Sequence, residues 1–320
     1  MEERSMKKLV LGAVAAALMT FTASAALAQS KEIAVIVKTS NSNFWQNVNK
    51  GADAAIKEQS KFTMTFQGPA AEANVADEVN MVENAVNRKV AGIVLAPSDP
   101  DALVPAIKKA WENSIPVVLI DSAISPAADK YYQAFLSTDN EKAGRLCAEA
   151  LIKRMGTTGK VAIMSYVAGV GSEIGRVGGF TKYVKENSKI EIVGPFYSQS
   201  QMATALNQTI DTLTANPDLK GIFGANEPTA AGMGRAIAQA GKAGQITAIG
   251  FDGNQDLQDF VRNGTLQGIA VQGSFQMGYL GVQTIVKIVG GEKVSKTIDT
   301  GVVFVTKDNL DKPEAKNVLY

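Results

Sequence analysis

Short apolar runs alternate along the chain with stretches whose apolar residues recur every three or four positions. The runs are Ile33–Val37, Phe62–Phe66, Gly92–Ala96, Val117–Ile120, Val161–Ser165, Ile190–Val193, Gly221–Phe223, Ala248–Gly250 and Gly268–Val271. Helical patterns cover Phe44–Lys57, Val75–Val86, Asp101–Trp111, Ala143–Met155, Gly175–Glu186, Met202–Leu213, Thr229–Ala240, Leu257–Val261 and Met277–Val289. In the first of these Trp45, Val48, Ala52, Ala55 and Ile56 fall on the inward side. Most of the runs are apolar throughout rather than alternating. That predicts strands buried on both faces, as in a parallel sheet covered by helices. The expected class is α/β, doubly wound.

The pattern echoes itself. Ala91–Ser98 (AGIVLAPS) resembles Lys220–Glu227 (KGIFGANE), and Ile115–Asp121 (IPVVLID) resembles Ile246–Asp252 (ITAIGFD), at offsets of 129 and 131 residues. Each half holds strand, helix, strand, with an aspartate where the last strand ends. Two similar parallel-sheet lobes explain this. The plainer alternative is that any α/β chain yields apolar strands ending in Asp. No low-complexity linker separates the halves, so closely packed lobes are expected.

Ligands of open parallel sheets sit beyond the carboxyl ends of the strands. The residues there include Ser42, Phe44 and Trp45, then Ser98 and Asp99, Asp121 and Ser122, Tyr166, and Gly169–Glu173. Farther on come Tyr197, Gln199, Gln201, Asn226, Glu227, Asp252, Asn254 and Gln272. The set is rich in amides and carboxylates, carries aromatics, and is poor in cations. Carboxylates and amides form paired hydrogen bonds with vicinal hydroxyls. Aromatic faces cover the C–H side of a sugar ring. A neutral polyhydroxylated ligand is therefore expected. Each residue also has a structural role open to it. Phe44 and Trp45 can be core residues of the first helix, and Asp121 and Asp252 can cap the segments that follow. Asn226 can be an N-cap, since Glu227-Pro228 opens a helix. Cap and ligand group are compatible roles.

Composition removes several chemistries. The 320 residues contain no His and one Cys. Imidazole bases, His-based triads and His–metal sites are excluded, as are an intramolecular disulfide and any CxxC site. A formal net charge of +1 leaves no electrostatic footprint for nucleic acid. No GxxxxGK[ST] occurs, and Gly169-Val-Gly-Ser-Glu-Ile-Gly175 has one residue too many for GxGxxG. No cofactor and no metal are expected. Asp121, Glu173 and Asp252 are candidates for a carboxylate pair facing a sugar. Cys147 falls in a helical pattern, as a core residue.

Lys7-Lys8, an uncharged stretch from Leu9 to Ala28, and Ala26-Leu27-Ala28 form the pattern of a cleavable export leader, residues 1–28, cut before Gln29. An uncleaved anchor is the alternative, because the stretch approaches the ~20 residues a spanning helix needs. Met6 is a second candidate start. A secreted chain without disulfides fits a bacterial periplasm.

The mature chain resembles the periplasmic sugar-binding proteins of ABC transporters, in the pentose/hexose group of ribose type. The resemblance spans residues 31–305. It is carried by Ile33–Val37 with Asn43-Phe-Trp45, Gly92–Ser98, Ile115–Asp121, Ser137–Gly144, Arg176–Phe180, Ala225–Glu227 and Gly250–Gly253. Repressors of this fold carry an N-terminal DNA-binding module; here a leader stands in its place. The resemblance implies two lobes joined by a hinge of three crossings, near Thr138-Asp139, Gln272-Gly273 and Gly301-Val302. The lobes would be 31–138 with 273–301, and 139–272 with 302–320. It implies a sugar stacked on Phe44 and Trp45, with Asp121, Asn226, Asp252 and Gln272 on its hydroxyls. Departures from the ribose type point to another sugar. Ser42 replaces an Asn, Ser122 and Ile174 each replace an Arg, with Glu173 beside the latter, and Ser200 replaces an aromatic residue. A Trp in the stacking pair favours a hexose, ketose or polyol.

The expectation is thus a monomeric, non-enzymatic periplasmic receptor. It would capture a neutral monosaccharide or polyol, shift to a closed state, and deliver the ligand to an ABC permease at the inner membrane. A chemoreceptor or sensor kinase is a possible further partner. The alternative is a cleft enzyme on sugars, a glycosidase or a nucleotide-dependent oxidoreductase.

Overall fold

The computed structural model describes residues 31–320; the expected leader lies outside the described residues. The chain runs β1 (Glu32–Ile36), α1 (Asn43–Lys57), β2 (Thr63–Gln67), α2 (Val75–Asn87), β3 (Gly92–Leu95), α3 (Val104–Glu112), β4 (Val117–Ile120) and β5 (Ala134–Ser137). It continues through α4 (Asn140–Met155), β6 (Thr158–Ser165), α5 (Gly171–Asn187), β7 (Lys189–Tyr197), α6 (Met202–Ala215), β8 (Leu219–Gly224), α7 (Glu227–Gln239), β9 (Thr247–Phe251), α8 (Gln255–Asn263) and β10 (Gly268–Gln272). The last stretch holds α9 (Ser274–Val289), β11 (Thr297–Asp299), β12 (Val302–Val305) and α10 (Pro313–Lys316).

Two six-stranded sheets result, ordered β11-β5-β4-β3-β1-β2 and β12-β10-β9-β8-β6-β7. Pairing is parallel throughout except between β10 and β12. Strand β1 shows why the runs are unbroken. Ile33, Val35 and Val37 pack against α1 and α9, whereas Ala34 and Ile36 pack against α2 and α3. In the second sheet Val161 and Ile163 meet α4 and α5, while Ala162 and Met164 meet α7 and α8. Successive side chains point to opposite faces, so a strand covered on both sides has no polar position. Cys147 is buried among the α4 and α5 core residues.

The chain passes between the sheets after β5, after β10 and after β11. The passages run side by side: Thr138 Oγ1 donates to the Gly301 carbonyl at 3.0 Å. Each half also carries close helix pairs. A Cβ on Gly278 of α9 would overlap the Val48 carbonyl of α1, and one on Gly144 of α4 would overlap the Arg176 carbonyl of α5. The second contact seats the α5 turn that carries Arg176.

Three strands, β5, β11 and β12, are absent from the pattern-based expectation. Ala134–Ser137 and Thr297–Asp299 are short, and residues on each remain partly exposed. Strands β11 and β12 stand at sheet edges and β5 lies between β11 and β4, and all three keep partly exposed residues, unlike the fully buried β3 and β4. Strand β7 extends to Tyr197, beyond the expected Val193.

Candidate functional site

The carboxyl ends of β1, β4, β8, β9 and β10 and the first turns of α1 and α5 converge on one cavity of about 310 Å³. Ser42, Phe44, Trp45, Asp121, Asn226, Asp252 and Gln272 line it. Lys38, Glu72, Tyr166, Ser172, Arg176, Glu227 and Pro228 complete the wall.

The internal echo is a backbone device. Asp121 and Asp252 both take left-handed conformations, with φ of 62° and 74°. That region is unusual for a side-chain-bearing residue and is more accessible to Asp than to most. Neither aspartate caps the segment that follows it through a side-chain bond; Asn254 caps α8. Their surroundings nevertheless differ.

Asp121 is paired with a cation. Lys38 follows β1 closely and is 2% exposed. Its Nζ donates to Asp121 Oδ2 at 2.5 Å and to Ser122 Oγ at 2.7 Å. It also reaches Ser172 Oγ, on α5 beside the second sheet, at 3.2 Å. Burial pushes the Asp121 carboxyl up, but the Lys38 ammonium and its hydrogen bond, with Arg176 and Ser122, hold it below its ordinary value.

Asp252 has no lysine. Its Oδ2 accepts from the Glu227 N–H at 3.0 Å, capping the first turn of α7, and its Oδ1 accepts from Gln272 Nε2 at 2.9 Å. Burial raises its pKa to about 6, and the charge of Asp121 adds to the rise against the opposing effect of Arg176. Gln272 Oε1 is buried without a hydrogen-bond partner. Arg176 is 2% exposed, its guanidinium 3.6 Å from the Phe251 ring centroid, and it donates to the Ala225 carbonyl and Asn140 Oδ1.

The aromatic wall is held by a polar chain. Phe44 and Trp45 stand edge to face with centroids 4.8 Å apart. Both belong to the core of the first sheet and also line the cavity. Trp45 Nε1 donates to Glu72 Oε1 at 3.2 Å, and Ser200 Oγ donates to Glu72 Oε2 at 2.6 Å. Asn226 Nδ2 donates to Ser200 Oγ at 2.9 Å while its Oδ1 caps α7 at Thr229 N. Asn226 thus combines cap and cavity roles. Ser42 likewise caps α1, accepting from Trp45 N at 3.4 Å.

Glu173 does not line the cavity. Its side chain turns back under α5 and accepts from Ser165 Oγ at 2.9 Å; burial raises its pKa. The expected poverty of cations is corrected, because Lys38 and Arg176 both enter. Ile174 is 58% exposed, and the arginine reaches the site two residues later. The signals were present. Lys38 stands just past the first apolar run, and Arg176 lies one helical turn from Ser172. Glu72, on the loop after the poorly patterned β2, had no such marker. Among the described residues, no group of three or more His, Cys, Asp and Glu is arranged to hold a metal ion. The wall suits hydrogen bonding: its carboxylates and amides have spare lone pairs, its Lys38 is paired with Asp121, and its Arg176 donates to neutral oxygens of Ala225 and Asn140.

Residues 33–293 match the model of the periplasmic binding protein domain. The D-ribose/D-allose-binding protein of Pseudomonas aeruginosa is 28% identical over 311 residues, covering 95% of this chain and 97% of that protein. The D-allose-binding periplasmic protein of Escherichia coli is 30% identical over 272 residues, 83% of this chain and 86% of the other. An ABC transporter solute-binding protein from Agrobacterium vitis, crystallised with bound D-fucose, is 74% identical with a TM-score of 0.90, covering 90% of this chain and all of that one. Two echoed parallel sheets with a polar cavity at their strand ends, together with this match across most of the chain, lead to one conclusion: the chain belongs to the periplasmic binding protein domain family.

Proposed function

We propose that this chain captures a neutral monosaccharide between its two sheets and delivers it to an ABC permease at the inner membrane. The observation that carries this is Gln272: it lines the cavity, and its Oε1 is a buried acceptor with no protein donor. A ligand hydroxyl satisfies such a group, and leaving it unmatched costs about 1–3 kcal/mol. The cavity offers acceptors on both sides, its Lys38 is paired with Asp121, and its Arg176 is engaged by the Ala225 carbonyl and Asn140 Oδ1, which suits a ligand of hydroxyls. The Agrobacterium vitis relative with bound D-fucose supports a hexose-sized ligand, and D-fucose is the first to test.

The sugar is held by Asp121, Asn226, Asp252 and Gln272, with Phe44 and Trp45 against its apolar side and Ser42 at the rim. The moving lobes are residues 31–138 with 273–301, and 139–272 with 302–320. The leader, residues 1–28, directs export to the periplasm, where the mature protein works as a monomer and releases its ligand unchanged.

Calorimetry against D-fucose, D-arabinose, D-allose, D-ribose and a polyol tests this. D-fucose should bind, and Asp252→Asn should weaken it roughly tenfold to a hundredfold through one mismatched donor. Gln272 can turn its amide to suit the new side chain, so the fold should persist. Absence of binding across the panel overturns the proposal, and conversion of the sugar establishes the enzyme alternative.

A further inference from the structure

The Glu227 side chain has partners on an element of the other sheet and at the end of the chain. It opens α7, which packs on the second sheet. Its carboxylate nevertheless accepts from the backbone N–H groups of Phe44 at 2.5 Å and Asn43 at 3.2 Å. Those groups begin α1, which packs on the first sheet. The first N–H groups of a helix have no partner within it, and a carboxylate there also meets the positive end of the helix dipole.

Tyr320 completes the bridge. Its hydroxyl donates to Glu227 Oε2 at 3.1 Å. Its backbone is tied beside the second sheet, the N–H donating to the Gly253 carbonyl at 3.2 Å and the carbonyl accepting from Gln258 Nε2 at 3.3 Å. Its side chain packs instead against the core cluster of the first sheet, the one that holds Phe44 and Trp45. Glu227 lines both the inner cavity and a neighbouring outer cavity of about 910 Å³, whereas Tyr320 lines neither.

We propose that Glu227 and Tyr320 form an interlobe latch, positioning residues that hold the closed state by gripping the first turn of α1 from the opposite lobe. This rests on the sugar-capture function, since the latch acts on whatever sugar is enclosed. The grip engages the same turn that presents Phe44 and Trp45, so closure and the aromatic wall are set together. Its Glu227 borders both the inner cavity and the outer one. A latch stabilises closure by the same amount for every ligand. A contact residue discriminates among ligands by their hydroxyl patterns.

The test is stopped-flow and calorimetry on the mature protein with D-fucose, D-arabinose and D-allose, comparing wild type with Tyr320→Phe and Glu227→Gln. Tyr320→Phe keeps the ring and removes only the hydroxyl. It should weaken every sugar that binds by one common factor, about fivefold to tenfold, carried by faster dissociation with association unchanged. Glu227→Gln places an amide among N–H and O–H donors and should show a larger factor, again common to all sugars. Unchanged affinity overturns the latch, even if the melting temperature of the sugar-free protein falls, because that pattern marks a merely structural bond. A loss that differs among sugars overturns it too. If Tyr320→Phe does not fold, Glu227→Gln decides by the same criterion. Failure of the wild type to bind any sugar is a separate result, which removes the capture function itself.

Discussion

Lys38→Met isolates the buried ion pair at the centre of the site. The Lys38 and Asp121 side chains are 2% and 5% exposed, with 2.5 Å between Nζ and Oδ2. Methionine fills much the same volume but removes the charge and all three donated bonds, to Asp121, Ser122 and Ser172. Asp121 is left as a buried carboxylate with the Ser122 hydroxyl at 2.9 Å and the more distant charge of Arg176. Breaking a buried pair from one side costs about 3–5 kcal/mol, mostly for the stranded charge. Arg176 compensates in part, so the expected loss is near the lower end, about 3 kcal/mol. Lys38→Met combined with Asp121→Asn strands no charge, and its loss should be about 1 kcal/mol or less. The pH dependence has a defined sign. In the wild type the native pKa of Asp121 is lowered, so the pair stabilises the fold above the unfolded value and that contribution is lost as pH falls through the native one. In Lys38→Met burial acts without the ammonium and the pKa rises, so the penalty is relieved as pH falls. Denaturant unfolding of wild type, single and double variants at pH 7.5 and 4.5 should show a gap that narrows at the lower pH. A gap under about 1 kcal/mol at pH 7.5, or a double variant as unstable as the single one, would refute the assignment of a costly stranded charge.

Trp45 is both core and cavity wall, so Trp45→Ala should lose about 3–5 kcal/mol of stability as well as sugar affinity. Trp45→Phe should keep most of the stability while losing the bond to Glu72, and an alanine variant with unchanged melting temperature would contradict the core role. Glu78 is fully buried and raised to about 7, chiefly by burial, with Oε1 unpartnered. Glu227 is raised to about 7 by burial and then by Asp252, and Asp252 itself to about 6. Groups whose native pKa is raised stabilise the fold below their unfolded values and lose that contribution as pH rises through the native ones. Thermal stability should therefore decline from pH 5 to pH 8, and Glu78→Gln should flatten part of the decline; a melting temperature that rises over this interval would falsify the sign.

Pattern alone determined the parallel sheets, because a strand covered on both faces can carry no polar residue, and Ile33–Val37 or Gly92–Ala96 then look like little else. It also determined the two echoed aspartates, since the ends of inner strands in such sheets are where ligands bind. Strands β5, β11 and β12 escaped: each is short and keeps partly exposed positions, β11 and β12 at sheet edges and β5 just inside β11, so burial does not constrain every position. What only the tertiary structure decided is which way side chains turn and what they meet across the chain. Glu173 and Arg176 share two turns of α5, yet one folds back onto Ser165 while the other crosses Phe251 into the cavity. Lys38 is 83 residues from Asp121, and Glu227 is 183 from Phe44. Hydrophobic periodicity is local and registers burial on an element's own face. A charge pair between strand ends depends on the order of strands within one sheet, and a carboxylate gripping a distant helix end depends on how the two sheets are packed together.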